Sequence, residues 1–142
     1  MDLPRTQGVT LCRYASDTNN VITAVEGVDI LFSERGSAVP NLYIAGRIYD
    51  VPPNVYQVRF LARGEGDVDT EMLTVPSFRV DAQNDGMGAP GQGRIILASH
   101  INPHRKELVD GDYIVWIELR PVDGKGDRVS LPLCRLYVRP KR

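Results

Sequence analysis

Hydrophobic and polar residues alternate along much of this chain with the period of two that is typical of β-strands. The alternation is cleanest over residues 55–63, where Tyr56, Val58, Phe60 and Ala62 fall on one face. Successive side chains of a strand point to opposite sides of the sheet, so the polar residues between them share the other face. The pattern predicts an antiparallel strand with one face in the core and one in water.

A second clear alternation follows the dipeptide Asp110-Gly111 and continues to Leu119. Gly tolerates positive φ and Asp can bond its own backbone, so this dipeptide predicts a turn. Tyr113, close behind the turn and at the start of the strand, is typical of the tyrosine corner of immunoglobulin-like sandwiches. We therefore expect residues 108–119 to form a central strand on which the other strands are organised.

Further segments are rich in β-forming residues and bounded by Gly, Pro, Asn or Asp, which predicts about eight strands in all. The predicted strands are residues 8–15, 21–32, 41–49, 55–63, 71–81, 94–98, 108–119 and 128–139. No long helical pattern is present. Strands at this spacing predict an all-β fold, and the length of 142 residues favours one domain over residues 1–142. The expected architecture is a single-domain antiparallel β-sandwich of the immunoglobulin-like kind.

Irregularities inside three of these strands predict a bulge or an edge position. Gly27 interrupts the second strand and indicates a bulge there. Pro76 indicates that the fifth strand lies at a sheet edge or is divided into two short pieces, with Phe78 and Val80 directed inward. A change of phase near Leu133-Cys134 indicates a bulge or an edge position for the last strand.

Four segments also carry a shared pattern of strand and turn residues. They are Cys12-Arg13-Tyr14-Ala15, the apolar run 21–28 with its closing Gly-Val pair, the Pro-started strand 40–47, and Gly111-Asp112-Tyr113. In these segments the chain resembles a family of small uncharacterised bacterial proteins with an all-β, immunoglobulin-like sandwich. The resemblance implies that fold and a bacterial origin, and it implies no catalytic activity.

Composition narrows the classes of function. The chain has 17 basic and 18 acidic residues and a net charge of −1, so it lacks the overall basic excess expected of a general nucleic-acid binder. No apolar run approaches the roughly 20 residues of a membrane helix. The first eight residues contain no apolar signal-peptide region. We therefore predict a cytoplasmic protein with no nucleic-acid or membrane partner.

Candidate catalytic and cofactor residues do not combine into a reactive arrangement. The glycine pattern of residues 86–91 has the letters of a dinucleotide-binding fingerprint, but Pro90 lies inside it and a β-pattern follows it, where the fingerprint needs a helix. His100 and His104 have a spacing that suits metal ligands on a helix, yet Pro103 disfavours a helix there and no third ligand is assignable. Cys12 and Cys134 are expected to be reduced thiols, with a disulfide as the alternative. We predict no enzyme, no metal and no cofactor.

The outward side chains of the predicted central strands give the leading functional hypothesis. Trp116 and Ile114 fall opposite the core face of their strand, and Tyr43 and Tyr49 do the same on theirs. These four residues are either additional core or an exposed aromatic patch, and Trp and Tyr are favoured anchors of interfaces. On the second interpretation the chain is a non-catalytic module for protein interaction or self-assembly, with a protein partner or a homo-oligomer.

Two alternatives stay open. The loops at residues 64–70 and 82–93 are rich in Gly, Asp and Glu, and could hold carbohydrate or calcium in a ligand-binding sandwich module. A hydrolase or metal enzyme centred on His100 and His104 is the third class. The basic residues of the C-terminal end, Arg135, Arg139, Lys141 and Arg142, are either solvated or face an acidic partner.

Overall fold

The computed structural model describes residues 4–19, 21–27, 30–33, 42–64, 69–101 and 111–140. These ranges contain nine β-strands, which confirms the prediction of an all-β protein. The strands are β1 (Arg5–Thr18), β2 (Val21–Gly27), β3 (Ile30–Ser33), β4 (Tyr43–Val51), β5 (Asn54–Arg63), β6 (Asp69–Val80), β7 (Gly93–His100), β8 (Gly111–Pro121) and β9 (Val129–Pro140). The described ranges include no helix long and apolar enough to cross a membrane.

The strands form two sheets. One has four strands in the order β2-β1-β4-β7, and the other has five in the order β3-β9-β8-β5-β6. Each neighbouring pair is antiparallel except β3 and β9, which are parallel. β8 lies in the middle of the five-stranded sheet, as its long alternation predicts. β6 lies at the edge of the sheet. A proline is tolerated there, because Pro76 has no N–H to donate and an edge strand has a neighbour on one side only.

A single core cluster joins the inward faces of both sheets. It includes Ile44, Ile48 and Leu97 from the four-stranded sheet and Phe60 and Ile117 from the five-stranded sheet, all at most 3% exposed. Burial of side chains of this size stabilises the fold by roughly 1.5–3 kcal/mol each. The predicted core face of β5, Tyr56, Val58, Phe60 and Ala62, is confirmed.

The predicted second strand is two strands, and the prediction of a single bulged strand over residues 21–32 is wrong. β2 pairs with β1 in the four-stranded sheet, whereas β3 pairs with β9 in the five-stranded sheet. The change of phase near Gly27 therefore marks the point where the chain leaves one sheet for the other. The hydrophobic pattern along the chain does not distinguish these two cases, because it carries no information on which strand becomes the neighbour.

The predictions for β9 and β6 are each confirmed in one part and wrong in another. Trp116 pairs with Pro132 and Val115 with Cys134, so Leu133 is the extra residue of a bulge, as predicted. The edge position is wrong, because β3 pairs with the C-terminal end of β9. Val80 is buried as predicted, but Phe78 is 37% exposed. Phe78 pairs with the buried Tyr56, yet it lies on an edge strand, which has a neighbouring strand on one side only.

Two tyrosines fix the ends of central strands. The Tyr56 hydroxyl donates a hydrogen bond to the carbonyl of Pro52, four residues upstream, and thereby closes the turn between β4 and β5. Burial, followed by the charge of Asp127, raises the pKa of Tyr56 above its ordinary value, so the hydroxyl stays a donor. Tyr113 starts β8 as predicted and packs on Gly64, where an added Cβ would lie 3.0 Å from the ring.

Candidate functional site

The structure divides the four predicted interface residues between two sheets. Trp116 and Ile114 lie on β8 of the five-stranded sheet, and Tyr43 and Tyr49 lie on β4 of the four-stranded sheet. Each pair is on the outer side of its sheet, opposite the shared core. They therefore belong to two separate surfaces, which have different chemistry and are described in turn.

The outer face of β5, β8 and β9 is a grid of cross-strand rows, which we call the arginine face. The register of the paired strands defines the rows. Arg128 lies just before β9 and is included because it lines the same cleft as Gln57 and Arg120. From one end to the other the rows are Gln57, Arg120 and Arg128; Arg59, Glu118 and Ser130; Leu61, Trp116 and Pro132; and Arg63, Ile114 and Arg135. Five of the twelve side chains are guanidinium groups and one is a carboxylate.

An apolar row crosses the middle of the arginine face. Leu61 is only 2% exposed although it points away from the main core, because Trp116 and its neighbours pack beside it. The guanidinium carbon of Arg63 lies 4.7 Å from the centre of the Trp116 ring, a cation–π arrangement. Asp69 holds Arg63 in place with an ion pair of 2.8 Å. Ile114, in the next row, is 39% exposed.

The indole N–H of Trp116 is sealed from solvent and has no hydrogen-bond acceptor among the described residues. Leaving a buried donor unpaired costs roughly 1–3 kcal/mol. The packing of the apolar row therefore has to offset this cost. The ring of Trp116 is partly buried, so what it presents at the surface is apolar ring and not the N–H.

The charged rows contain more arginine than the face can neutralise. Arg59 pairs with Glu118 at 3.1 Å, and both side chains are partly exposed. Arg120, Arg128 and Arg135 make no ion pair within the described ranges. Because guanidinium groups are charged at every physiological pH, these three positive charges persist.

A cleft of about 250 Å³ lies at the end of the face that carries Arg120 and Arg128. Its walls also include Gln57, Arg59 and Ser130, so the lining offers several N–H groups and one hydroxyl. Glu118 is the only carboxylate among its lining residues. The arrangement suits a carboxylate or another oxyanion better than a cation.

The outer face of β1, β4 and β7, which we call the tyrosine face, holds its aromatic rings against each other. Tyr43 has Tyr14 at 5.5 Å on one side and His100 at 5.0 Å on the other, measured between ring centres. Tyr14 is 50% exposed, while Cys12 beside Tyr43 is fully buried. Tyr49 is only 5% exposed, with Arg5 stacked over its ring, so it offers little surface to a partner.

The glycine-rich loop between β6 and β7 folds back on the protein. The carboxylate of Asp50 is buried and accepts hydrogen bonds from the backbone N–H of Ala89 at 2.8 Å and from Nε of Arg5 at 3.1 Å. Asp50 has φ 61°, the left-handed region that non-glycine residues seldom adopt. Gly88 is required beside it, because an added Cβ would lie 2.9 Å from Oδ1 of Asp50.

Acidic side chains of the predicted ligand loops are engaged with neighbours of the same chain. Asp85 accepts hydrogen bonds from Arg94 and from the N–H of Met87, which lower the pKa of its carboxyl. Asp69 belongs to β6 and pairs with Arg63, while residues 65–68 lie outside the described ranges. No group of three or more His, Cys, Asp or Glu side chains that could hold a metal is present among the residues described.

Three of the remaining candidates from the sequence, His100, Cys12 and Cys134, lie in the described ranges. His100 ends β7 in contact with Tyr43, and His104 lies outside the described ranges. Cys12 and Cys134 are free thiols on different sheets, as expected. Burial raises the pKa of Cys134 to about 12, so its thiol stays protonated at neutral pH.

Reasoning from the sequence missed the arginine face as a unit. The alternation of β5 shows that Arg59 and Arg63 point away from the core, and the same holds for Arg120 on β8. The alternation does not give the register of β5 and β8, which places Gln57 beside Arg120 and Arg63 beside Ile114. The predicted basic C-terminal group also divides, because Arg139 pairs with Asp112 at 2.8 Å whereas Arg135 joins the arginine face.

The chain was compared with protein-family models, with curated proteins and with solved structures, and none of the three comparisons found a match.

Proposed function

We propose that this protein is a non-catalytic interaction module of a bacterial cell and that it binds a protein through the arginine face. The observation that carries the proposal is the combination, in one strip, of exposed Ile114, the half-buried ring of Trp116 and three arginines without ion-pair partners in the described ranges. Trp, Tyr and Arg are the residues most enriched among binding hot spots, and the arginine face carries two of these three types. The strip lies on a sheet whose other side is the core, so its shape is fixed before binding.

We also propose that the two sheets form an immunoglobulin-like sandwich. That fold places strands A, B and E in one sheet and strands C, F and G in the other. Strand order supports the assignment, because β1, β4 and β7 would be A, B and E, and β5, β8 and β9 would be C, F and G. The chain departs from antibody domains in its cysteines, which lie on β1 and β9 rather than on B and F.

The alternative of a ligand-binding module, with carbohydrate or calcium in the loops at 64–70 and 82–93, stays a prediction from the sequence. The geometry favours it less, because Asp85 is committed to Arg94 and Met87, and Asp69 to Arg63. A bacterial origin and a cytoplasmic location also remain predictions.

The test compares two double variants that make the same change in net charge. Ile114→Asp with Arg135→Glu alters the arginine face, and Met87→Asp with Arg13→Glu alters exposed sites elsewhere. Light scattering over a range of concentrations measures self-association, and quantitative co-purification from the native cell extract measures association with a partner. We expect the wild-type protein and the second variant to share an oligomer or a stoichiometric partner that the first variant loses.

The proposal is wrong if the wild-type protein and both variants are monomers that retain the same co-purifying proteins. It is also wrong if the second variant loses association and the first one retains it, because the interaction would then use another surface. Circular dichroism and thermal unfolding of each variant separate loss of binding from loss of fold.

A further inference from the structure

We infer that the arginine face binds an extended, acidic peptide segment of a partner protein, with acidic side chains at its two ends and an apolar side chain between them. This inference rests on the proposed function and specifies the partner. It follows from three properties of the face: its charge, its size and the spacing of its rows.

Charge complementarity predicts that the partner segment is negatively charged. Arg120 and Arg128 lie together at one end of the face, and Arg135 lies at the other end; none has an ion pair among the residues that the structure describes. Arginine binds carboxylates through two parallel hydrogen bonds, so each end offers a site for Asp or Glu. The middle of the face is different, because Glu118 already neutralises Arg59. A carboxylate is therefore favoured at the ends and disfavoured in the centre.

The size of the face selects a peptide over a domain. From Gln57 to Arg63 the Cα positions of β5 span roughly 20 Å, and β5, β8 and β9 together span roughly 10 Å in the other direction. A standard interface buries about 800 Å² on each partner, which is more than a patch of this size supplies. About seven extended residues have the same length as the face.

The rows have the spacing of an extended chain. Neighbouring rows are two residues apart along each strand, which corresponds to roughly 7 Å. Alternate side chains of an extended peptide repeat at the same distance, so a peptide that lies along β8 meets one row with every second side chain. Its facing residues would meet the cleft, then the Arg59 row, then the Trp116 ring, and finally Arg63 and Arg135. Acidic, polar, apolar and acidic residues match these rows in that order.

The experiment uses the full protein and a pair of synthetic heptapeptides. The probe is acetyl-Glu-Thr-Ser-Thr-Leu-Thr-Glu, and its match carries Gln in place of both Glu residues. Titration followed by amide NMR shifts measures affinity and maps the contact surface. We expect saturable shifts along β5 and β8 with the probe, and binding about tenfold weaker with the Gln peptide, since each charge pair contributes modestly and two are lost.

Variants assign the effect to particular side chains. Arg120→Ala with Arg128→Ala should weaken binding of the probe by about tenfold, since two guanidinium partners are removed. The control Arg13→Ala removes a charge from an exposed position on the four-stranded sheet and should leave affinity unchanged. Glu118→Gln removes the one carboxylate of the face and should strengthen binding about two- to threefold. Melting temperatures of the variants confirm that each is folded.

Several results would overturn the inference. The inference is wrong if the Glu and Gln peptides bind with equal affinity or if the double arginine variant binds the probe unchanged. It is also wrong if the shifts are confined to the tyrosine face. Tighter binding of a single-stranded oligothymidine than of the acidic probe would make nucleic acid the occupant. If the acidic probe fails while Ile114→Asp with Arg135→Glu still abolishes association, the inference falls and the proposed function stands. If neither changes anything, both are wrong.

Discussion

The two outer faces of this protein are built from similar residues but handle their charges in opposite ways. On the tyrosine face and the loop beside it, Arg5 pairs with Asp50 and Arg94 pairs with Asp85. The rings of Tyr14, Tyr43 and His100 likewise contact one another. On the arginine face, Arg120, Arg128 and Arg135 have no such acid within the described ranges. The difference shows that two sheets with outward aromatic rings can differ in how far their charges are paired within the chain.

The largest expected effect is on the free energy of unfolding, and it tests whether the side chains of the apolar row of the arginine face are closely packed. Leu61→Ala should lower the free energy of unfolding by about 2–5 kcal/mol, because it leaves a cavity beside Trp116 in a site that is 2% exposed. Urea unfolding monitored by the fluorescence of Trp116 gives both stability and local environment. Ile114→Ala, on the same face but 39% exposed, is the control and should cost less than about 1 kcal/mol. Equal losses for the two variants would show that the row is not packed.

An intermediate effect is expected at Asp50, where the tyrosine face meets the glycine-rich loop. Asp50→Ala removes the acceptor for the Ala89 N–H and for Arg5, and it places Ala at φ 61°. We expect a loss of about 1–3 kcal/mol in the free energy of unfolding, together with faster hydrogen exchange of the Ala89 amide. Asp50→Asn keeps one acceptor and tolerates positive φ, so it should lose less. Unchanged exchange at Ala89 in the alanine variant would contradict the internal pairing of this face.

The smallest expected effect is a pH dependence of the same loop. Hydrogen bonds from Arg94 and then from Met87 lower the pKa of Asp85 in the folded state. A lowered folded pKa means that the interaction is complete above the unfolded pKa and is lost as pH falls through the folded value. The amide shift of Met87 should therefore titrate in the acid range, with a midpoint below that of an isolated aspartate. Arg94→Ala should raise this midpoint, and an unchanged midpoint would exclude the ion pair as the cause.

Particular elements show how far the sequence predicts the fold. Period-two alternation identifies the core face of β5 and the central position of β8, because the sheet itself imposes that period. It fails where the outcome depends on a neighbour. Residues 21–32 look like one strand, but β2 and β3 belong to different sheets. Phe78 looks inward and pairs with the buried Tyr56, but its side chain is partly exposed.

The candidate site shows the same division. Trp116 and Ile114 are identifiable from the sequence as outward residues of a central strand, and the structure places them so. Tyr49 is identified by the same rule, yet Arg5 covers it from a strand that is remote along the chain. The arginine face escapes prediction because its members come from three strands, and because an ion pair between residues 59 apart, such as Arg59 and Glu118, leaves no local signal.

The sequence by itself determines that this protein is all-β and which residues of β5 and β8 face the core. These are local properties, because backbone sterics and side-chain alternation act over a few residues. Only the tertiary structure decides which strands are neighbours, in which register they pair and which charges find partners. Those outcomes depend on the packing of side chains from distant segments into one core, and they set three arginines beside a tryptophan on an outer face.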